Sequence, residues 1–306
     1  MKPRAGGAHW FRVLSALALA ALAPGLRAGG SGADFLLVEP SARAAGLAGA
    51  QSADHGQLEA LRYNPAGLAD LAGLQAVFSH LAAGGDWSHD WLGLGYGWGR
   101  VSLGLDLLVS QMQPLTLVNA SGQAYDTAQV DSQNLGLAAA VALAPWLQAG
   151  AVLRGFRSQI YTAQSQGWAV DAGLLLHAQA WPVGAGLALQ NLGGQSAYVS
   201  QADPLPLLLR AGLQADFAVD RDLDASPRLD WVGYQDSGRP PELRVGADFG
   251  FFRTVHLRAG WVRAGTFSQP CLGLGVAWQS FVVDYAYQAG DDLGPSQMLD
   301  LRYLLP

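Results

Sequence analysis

The chain has 306 residues, half of them hydrophobic and only 14% charged, and its 39 glycines are too many for an ordinary helical enzyme. A formal charge of −6, with no lysine or arginine cluster after the first dozen residues, excludes a nucleic-acid partner. Its single cysteine, Cys271, excludes an intrachain disulfide and any zinc site built from cysteines.

The first element reads as an address. Lys2, Arg4 and Arg12 form a basic region, and an apolar run of about 11 residues, Val13 to Ala23, follows it. That is short of the ~20 residues a spanning helix needs. Small residues then permit cleavage after Ala28, because Pro24 disfavours an earlier cut. Residues 1–28 are expected to be a cleaved signal peptide, a short anchor helix being the other reading. No cysteine follows to carry a lipid.

Residues 29–72 differ in character from everything after them. Ser41 to Ala50 is nearly all small side chains, and the leucines around "EALRYNPAGLADL" have helix-like spacing. Asn64-Pro65 then breaks any regular element, because the residue before a proline is pushed out of helical dihedrals and Pro65 has no N–H. Gly67 is free to take a positive φ.

From Leu74 onward hydrophobicity alternates with a period of two, the mark of strands with one apolar and one polar face. Strands are expected near 74–82, 91–98, 101–110, 133–143, 147–158, 167–178, 183–191, 207–217, 227–234, 243–251, 255–263, 272–279, 281–288 and 297–305, about fourteen in all. Most are close to the ~9–11 residues of a tilted membrane strand. The second face carries Gly, Ala, Asp, Arg, Gln and His with hardly any lysine, which suits a confined wet lumen, while the Leu, Val and aromatic face suits lipid. Trp87, Trp91, Trp98, Trp146, Trp168, Trp181, Trp278 and Tyr303 lie near strand ends, as an interfacial girdle requires. Short joins ("GWGR", "APW", "AWP", "FFRT", "QS") alternate with longer polar ones, as in barrels with short periplasmic turns and long outer loops. "AVDRDLDASP" is a long join where a short one is expected. The expected fold is an all-β transmembrane antiparallel barrel over 73–306, with residues 29–72 as a short helical or irregular segment in its lumen.

A family resemblance rests on residues 41–68. Ser41-Ala42-Arg43-Ala44-Ala45-Gly46-Leu47-Ala48-Gly49-Ala50, then Asp54, then Tyr63-Asn64-Pro65-Ala66-Gly67-Leu68 resembles the opening of the PorV/PorQ family within the FadL-like outer-membrane superfamily. Leu47 and Ala48 stand where that pattern has Met and Gly. "GLALQNLG" and "VVDYAYQAGDDLG" are similar to the same family. The resemblance implies a fourteen-strand barrel in the outer membrane of a Gram-negative-type bacterium, with the N-terminal segment folded into the lumen. FadL-like members move small hydrophobic molecules, so passage of such compounds is the leading expectation. PorV-like members serve type IX secretion, so handling of exported proteins at the cell surface is the alternative.

The candidate site residues fall in two sets. Arg43, Gly46, Gly49, Tyr63, Asn64, Pro65 and Gly67 carry the motif of the inserted segment. Gly93, Gly95, Gly97, Asp106, Arg154, Asp171, Arg210, Asp216, Arg244, Asp248, Arg258 and Asp284 are expected to line the lumen, the charges paired across strands and the glycines making room for the insert. Arg244, Arg258 and Asp248 are expected to form one network. No Ser-His-Asp arrangement is readable, and the six histidines are scattered with none at metal-ligand spacing. "GLGYGWG" falls inside a strand, so it reads as barrel wall rather than a phosphate loop. No enzyme activity, cofactor, metal or nucleic acid is expected. The expected partners are outer-membrane lipid with a small hydrophobic ligand or exported proteins.

Overall fold

The computed structural model describes residues 32–84, 86–178, 180–235, 238–290 and 294–305, so the expected signal peptide lies outside the described residues. Fourteen strands form the wall: β1 Gly73–Ala83, β2 Trp87–Trp98, β3 Val101–Val118, β4 Ala124–Ala144, β5 Leu147–Ile160, β6 Ala163–His177 and β7 Val183–Gln195. The others are β8 Leu207–Ala215, β9 Leu223–Gln235, β10 Glu242–Phe251, β11 Val255–Ala264, β12 Phe267–Trp278, β13 Phe281–Gln288 and β14 Ser296–Leu305. Each pairs antiparallel with its sequence neighbours, and β1 pairs with β14 from Leu74↔Leu305 to Ala82↔Gln297. The sheet therefore closes and leaves no strand edge to pair with another chain.

Alternation decides which way each side chain points. Along β3 Leu103 and Leu107 face outward while Ser102, Asp106, Leu108 and Ser110 are buried inside. Leu137, Leu153, Leu174, Leu272 and Leu299 repeat the outward set around the wall, with Trp98, Trp146, Trp181 and Trp278 exposed near the tight turns. A band of apolar side chains this broad is stable against lipid and an aggregation liability against water. Among the described residues no helix is long and apolar enough to cross a membrane, which bears on helices alone.

The structure moves several expected boundaries. The segment after β3, expected as a long join, continues as paired strand to Val118↔Ala124, leaving a turn over 119–123. Its ladder shifts register between Met112 and Leu115, around Pro114, which has no N–H to donate. "AVDRDLDASP" resolves similarly. Phe217–Ala218 pairs with Ala225 and Asp224 in line with β8, so β9 starts at Leu223 and the turn is short. The gap between the Phe217–Ala218 ladder and the β8 ladder spans Ser226 and Pro227, again for want of a donor at the proline. β2 begins at Trp87 rather than 91.

Candidate functional site in the barrel lumen

Residues 32–72, the plug, run through the inside of the barrel. Gly32 donates to the carbonyl of Pro204 and Asp34 pairs with Arg239, both in joins at the long-join end. A 3₁₀ turn at Asp34–Leu37, a short helix at Ala42–Gly46 and 3₁₀ turns at Leu58–Leu61 and Pro65–Asp70 follow, and the chain enters β1 at Gly73. The helix packs on β11 to β14, while the two later turns pack on β1 to β6, on the opposite wall. Glycines on the wall make this fit possible. A Cβ at Gly95 would meet Leu58 and Leu71, at Gly104 Leu61, at Gly150 the carbonyl of Pro65, and at Gly186 that of Ser52. Gly46 and Gly273 meet backbone to backbone, a Cβ on Gly46 falling 2.9 Å from the Gly273 Cα. Gly93 serves differently from the expectation, lying under the Trp91 ring rather than under the plug. Gly97 faces the Leu71 carbonyl, and Gly67 packs against the Asp54 carbonyl within the plug. Gly49 takes φ 66°, a left-handed conformation that a side chain there would strain.

Short helices and irregular backbone leave N–H groups to be satisfied, and wall carboxylates satisfy them. Asp300 accepts from Ala42 N at 2.8 Å and Arg43 N at 3.2 Å, capping the helix start. Asp230 accepts from Gln51 N at 3.0 Å and from both N (2.8 Å) and Oγ (2.5 Å) of Ser52. Asn64 works in the reverse direction. Its amide donates to the carbonyls of Ser52 (2.6 Å) and Leu174 (3.0 Å) while its oxygen accepts from Ala66 N (3.2 Å). Pro65 follows as the first residue of the 3₁₀ turn, where a missing N–H costs nothing. The Asn-Pro motif thus docks the plug on β6 across the lumen.

The charged candidates gather into neutral networks. Four guanidiniums alternate with four carboxylates in the order Arg228, Asp54, Arg43, Glu59, Arg302, Asp284, Arg258, Asp248, with separations of 2.5–4.0 Å. Burial alone would raise the carboxyls of Asp54 and Glu59. It is outweighed at Asp54 by Arg228 and Arg43, which hold that group well below the usual range, and at Glu59 by Arg302 and Arg43, which bring it down to about 2. A second network joins Arg62, Asp106, Arg154 and Asp171, with Trp91 Nε1 donating to Asp106 at 2.6 Å and Asn134 at 3.0 Å. Trp91 is therefore buried inside, not part of the expected outer girdle. Arg244 does not join Arg258 and Asp248. It pairs with Glu39 of the plug at 2.6 Å and Glu242 of its own strand at 2.7 Å, because residues at that end of β10 face the long-join side. Arg210 donates to Gln190 at 2.6 Å and lies 5.0 Å over the Tyr63 ring.

An apolar cluster lies beside the second network, on the same strands β1 to β6. Phe35, Leu36, Leu58, Leu61, Leu68 and Leu71 of the plug pack on Val77, Trp91, Leu108, Val152, Phe156 and Leu205 of the wall and loops, with the Phe35 and Phe156 rings edge to face at 5.9 Å. On the outside of the same strands lies a groove of about 700 Å³, floored by Gly95, Gly104, Ala138 and Ala151 and rimmed by Leu94, Leu103, Leu137 and Leu153. Only the backbone of small residues separates the inner cluster from this outer groove.

At the tight-turn end the charged chain opens into a cavity of about 480 Å³, bordered by His55, Asp216, Arg228, His256 and Arg302. Asp216 sits at this mouth, within 3.6 Å of His55. His55 also faces Asp70 at 3.1 Å, and His177 faces Asp70 at 3.3 Å. The neighbouring carboxylates of Asp216 and Asp70 raise His55 to about 10 against the opposing effect of burial. Nothing in the sequence spacing links these histidines, since one is in the plug and the other at the end of β6.

No protein-family model matches the chain. No curated protein matches it either. Solved structures do. The toluene transporter TbuX of Ralstonia pickettii superposes with a TM-score of 0.65 at 14% identity, over 88% of this chain and 98% of that one. The toluene transporter TodX of Pseudomonas putida gives 0.62 at 10% identity, over 86% and 96%. CymD, a monoaromatic hydrocarbon channel, gives 0.61 at 14% identity, over 87% and 96%. What this chain shares with them is the fold, a closed fourteen-strand antiparallel barrel.

Proposed function

We propose that this chain is an outer-membrane barrel that passes small hydrophobic compounds, without a catalytic step of its own. The observation that carries the reading is the pairing of an apolar inner cluster with an apolar outer groove across the backbone of Gly95 and Gly104. A compound that partitions into lipid meets apolar surface on both sides of that wall, whereas ions and sugars meet a lumen filled by the plug and its ion pairs. The toluene transport named for TbuX and TodX, which share the fold, agrees with this reading. The Ser41–Ala50 stretch and the Tyr63–Leu68 motif support a place on the PorV/PorQ branch, and the basic-then-apolar start supports export to the outer membrane.

The test is uptake of labelled toluene by Gram-negative cells carrying the chain in their outer membrane, against cells carrying an equal amount of an open porin. Faster toluene uptake and slower sugar uptake than in the porin cells are expected. Toluene uptake equal to that of the porin control would remove the proposal.

A further inference from the structure

Zinc bound by imidazole and carboxylate at ~2.0–2.2 Å keeps tetrahedral ligand atoms roughly 3.3–3.6 Å apart. Asp70 Oδ2 lies 3.1 Å from His55 Nδ1 and 3.3 Å from His177 Nε2, and one ligand atom from each residue falls within 4.8 Å of the others. The atoms around them leave these three facing inward. Asp216 Oδ2 lies 3.6 Å from the far nitrogen of His55, so it orients the ring through Nε2. Gln148 donates to the other oxygen, Oδ1, of Asp70. His177 Nε2 is a buried nitrogen 3.3 Å from Asp70 Oδ2, and it has no well-formed hydrogen bond. Burying such a nitrogen without a well-formed hydrogen bond is costly, and a cation between it and Asp70 would relieve that cost.

We propose that His55, Asp70 and His177 bind one divalent ion of the zinc class, clamping the plug to β6 at the tight-turn mouth. Three protein ligands leave a fourth position for water, and the cavity of about 480 Å³ that His55 borders gives the ion access. The ion takes the place of the proton between His55 Nδ1 and Asp70, and that proton goes to solvent. Two ligands come from the plug and one from the wall, so binding resists any movement of residues 55–70 away from β6. The inference stands apart from what the barrel passes, because it concerns only how the plug is held.

The probe is Zn²⁺, titrated into the refolded, untagged full chain against a chromophoric chelator. One equivalent is expected to bind, with His177→Ala and His55→Ala each lowering affinity at least about tenfold and His80→Ala, at an exposed pair near the other end, leaving it unchanged. Co²⁺ in place of Zn²⁺ is expected to give a tetrahedral visible spectrum, and Zn²⁺ to slow proteolysis of residues 32–72 in the unsubstituted chain only. Heat-modifiable migration checks that each variant is a folded barrel. Should His177→Ala not fold, Asp216→Asn, which removes only the orienting carboxylate, is expected to weaken binding. No stoichiometric binding, or equal binding by His55→Ala and the unsubstituted chain, overturns the proposal.

Discussion

Arg154 on β5 reaches Asp106 on β3 across the whole width of β4, passing over Gly136, whose absent side chain leaves the way clear. Arg258 on β11 reaches Asp284 on β13 over Gly275 of β12 in the same manner, at 2.6 Å. Glycine on the middle strand turns a ladder of neighbours into a brace spanning three strands. Both braces also hold the plug, through Arg62 on one side and through Asp284, Arg302 and Glu59 on the other.

Replacing Asp106 by Leu is therefore expected to strand the buried guanidinium of Arg62 and to leave Arg154 paired with Asp171 alone. Breaking a buried pair by removing one partner costs about 3–5 kcal/mol. Urea unfolding of the refolded barrel should show a loss of that order, and Arg62→Met added to it should recover part of the loss. An additive double variant would mean that the two groups do not act together.

The glycine lining leads to a second expectation. Gly186→Leu and Gly173→Leu force a side chain into the Ser52 carbonyl and Asn64, so the plug must lift from the wall. Limited proteolysis should then cut within residues 32–72. Gly155→Leu, at a position with open space on the outer face, should leave the digest unchanged. Identical digests for all three chains would show that the wall glycines serve only the bending of the sheet.

Asn64 offers a sharper probe of the motif. Truncation to alanine leaves the carbonyls of Ser52 and Leu174 without their donor, and a buried unsatisfied group costs about 1–3 kcal/mol. Asn64→Asp should be worse than Asn64→Ala, because a carboxylate would face two carbonyl oxygens. Hydrogen exchange over residues 50–70 would report both, and weaker protection in the Asn64→Asp chain than in the Asn64→Ala chain is the expected result. Equal protection in the two would count against the docking role.

These residues show what the sequence made legible. The period-two pattern located the wall, and the Asn-Pro break marked where the inserted segment changes course. The break is readable from the sequence, but only the structure puts Asn64 against β6, with the entry to the wall at Gly73. The reason is that a local motif carries backbone geometry without its docking partner. Extended strands at Gln111–Val118 and Leu223–Ser226 were obscured by Pro114 and Pro227, which read as loop residues although they only interrupt the hydrogen-bond ladder. Arg244 and Arg258 share alternation and face, yet their partners depend on height in the lumen, a quantity periodicity does not carry. The same holds for His55 and His177, brought together solely by the path of the plug.

Acid should loosen the plug. Glu59, brought down from about 4.5 to about 2 by Arg302 and Arg43 despite its burial, binds its proton less readily in the docked state than when released. Its contribution is complete above about pH 4.5 and is lost as the pH falls toward 2. Proteolysis of residues 32–72 by an acid-active protease should be slow at pH 5 and rapid near pH 2, and Glu59→Gln should be sensitive at both. A digest independent of pH would contradict the role given to this pair.

The most direct test of the whole account is ion conductance in a planar bilayer at neutral pH, comparing the full chain with one lacking residues 32–71. A folded plug held by alternating charges predicts no steady current from the full chain and an open pore from the deleted one, both verified as barrels by heat-modifiable migration. A steady open-pore current from the full chain, equal to that of the deletion, would contradict it.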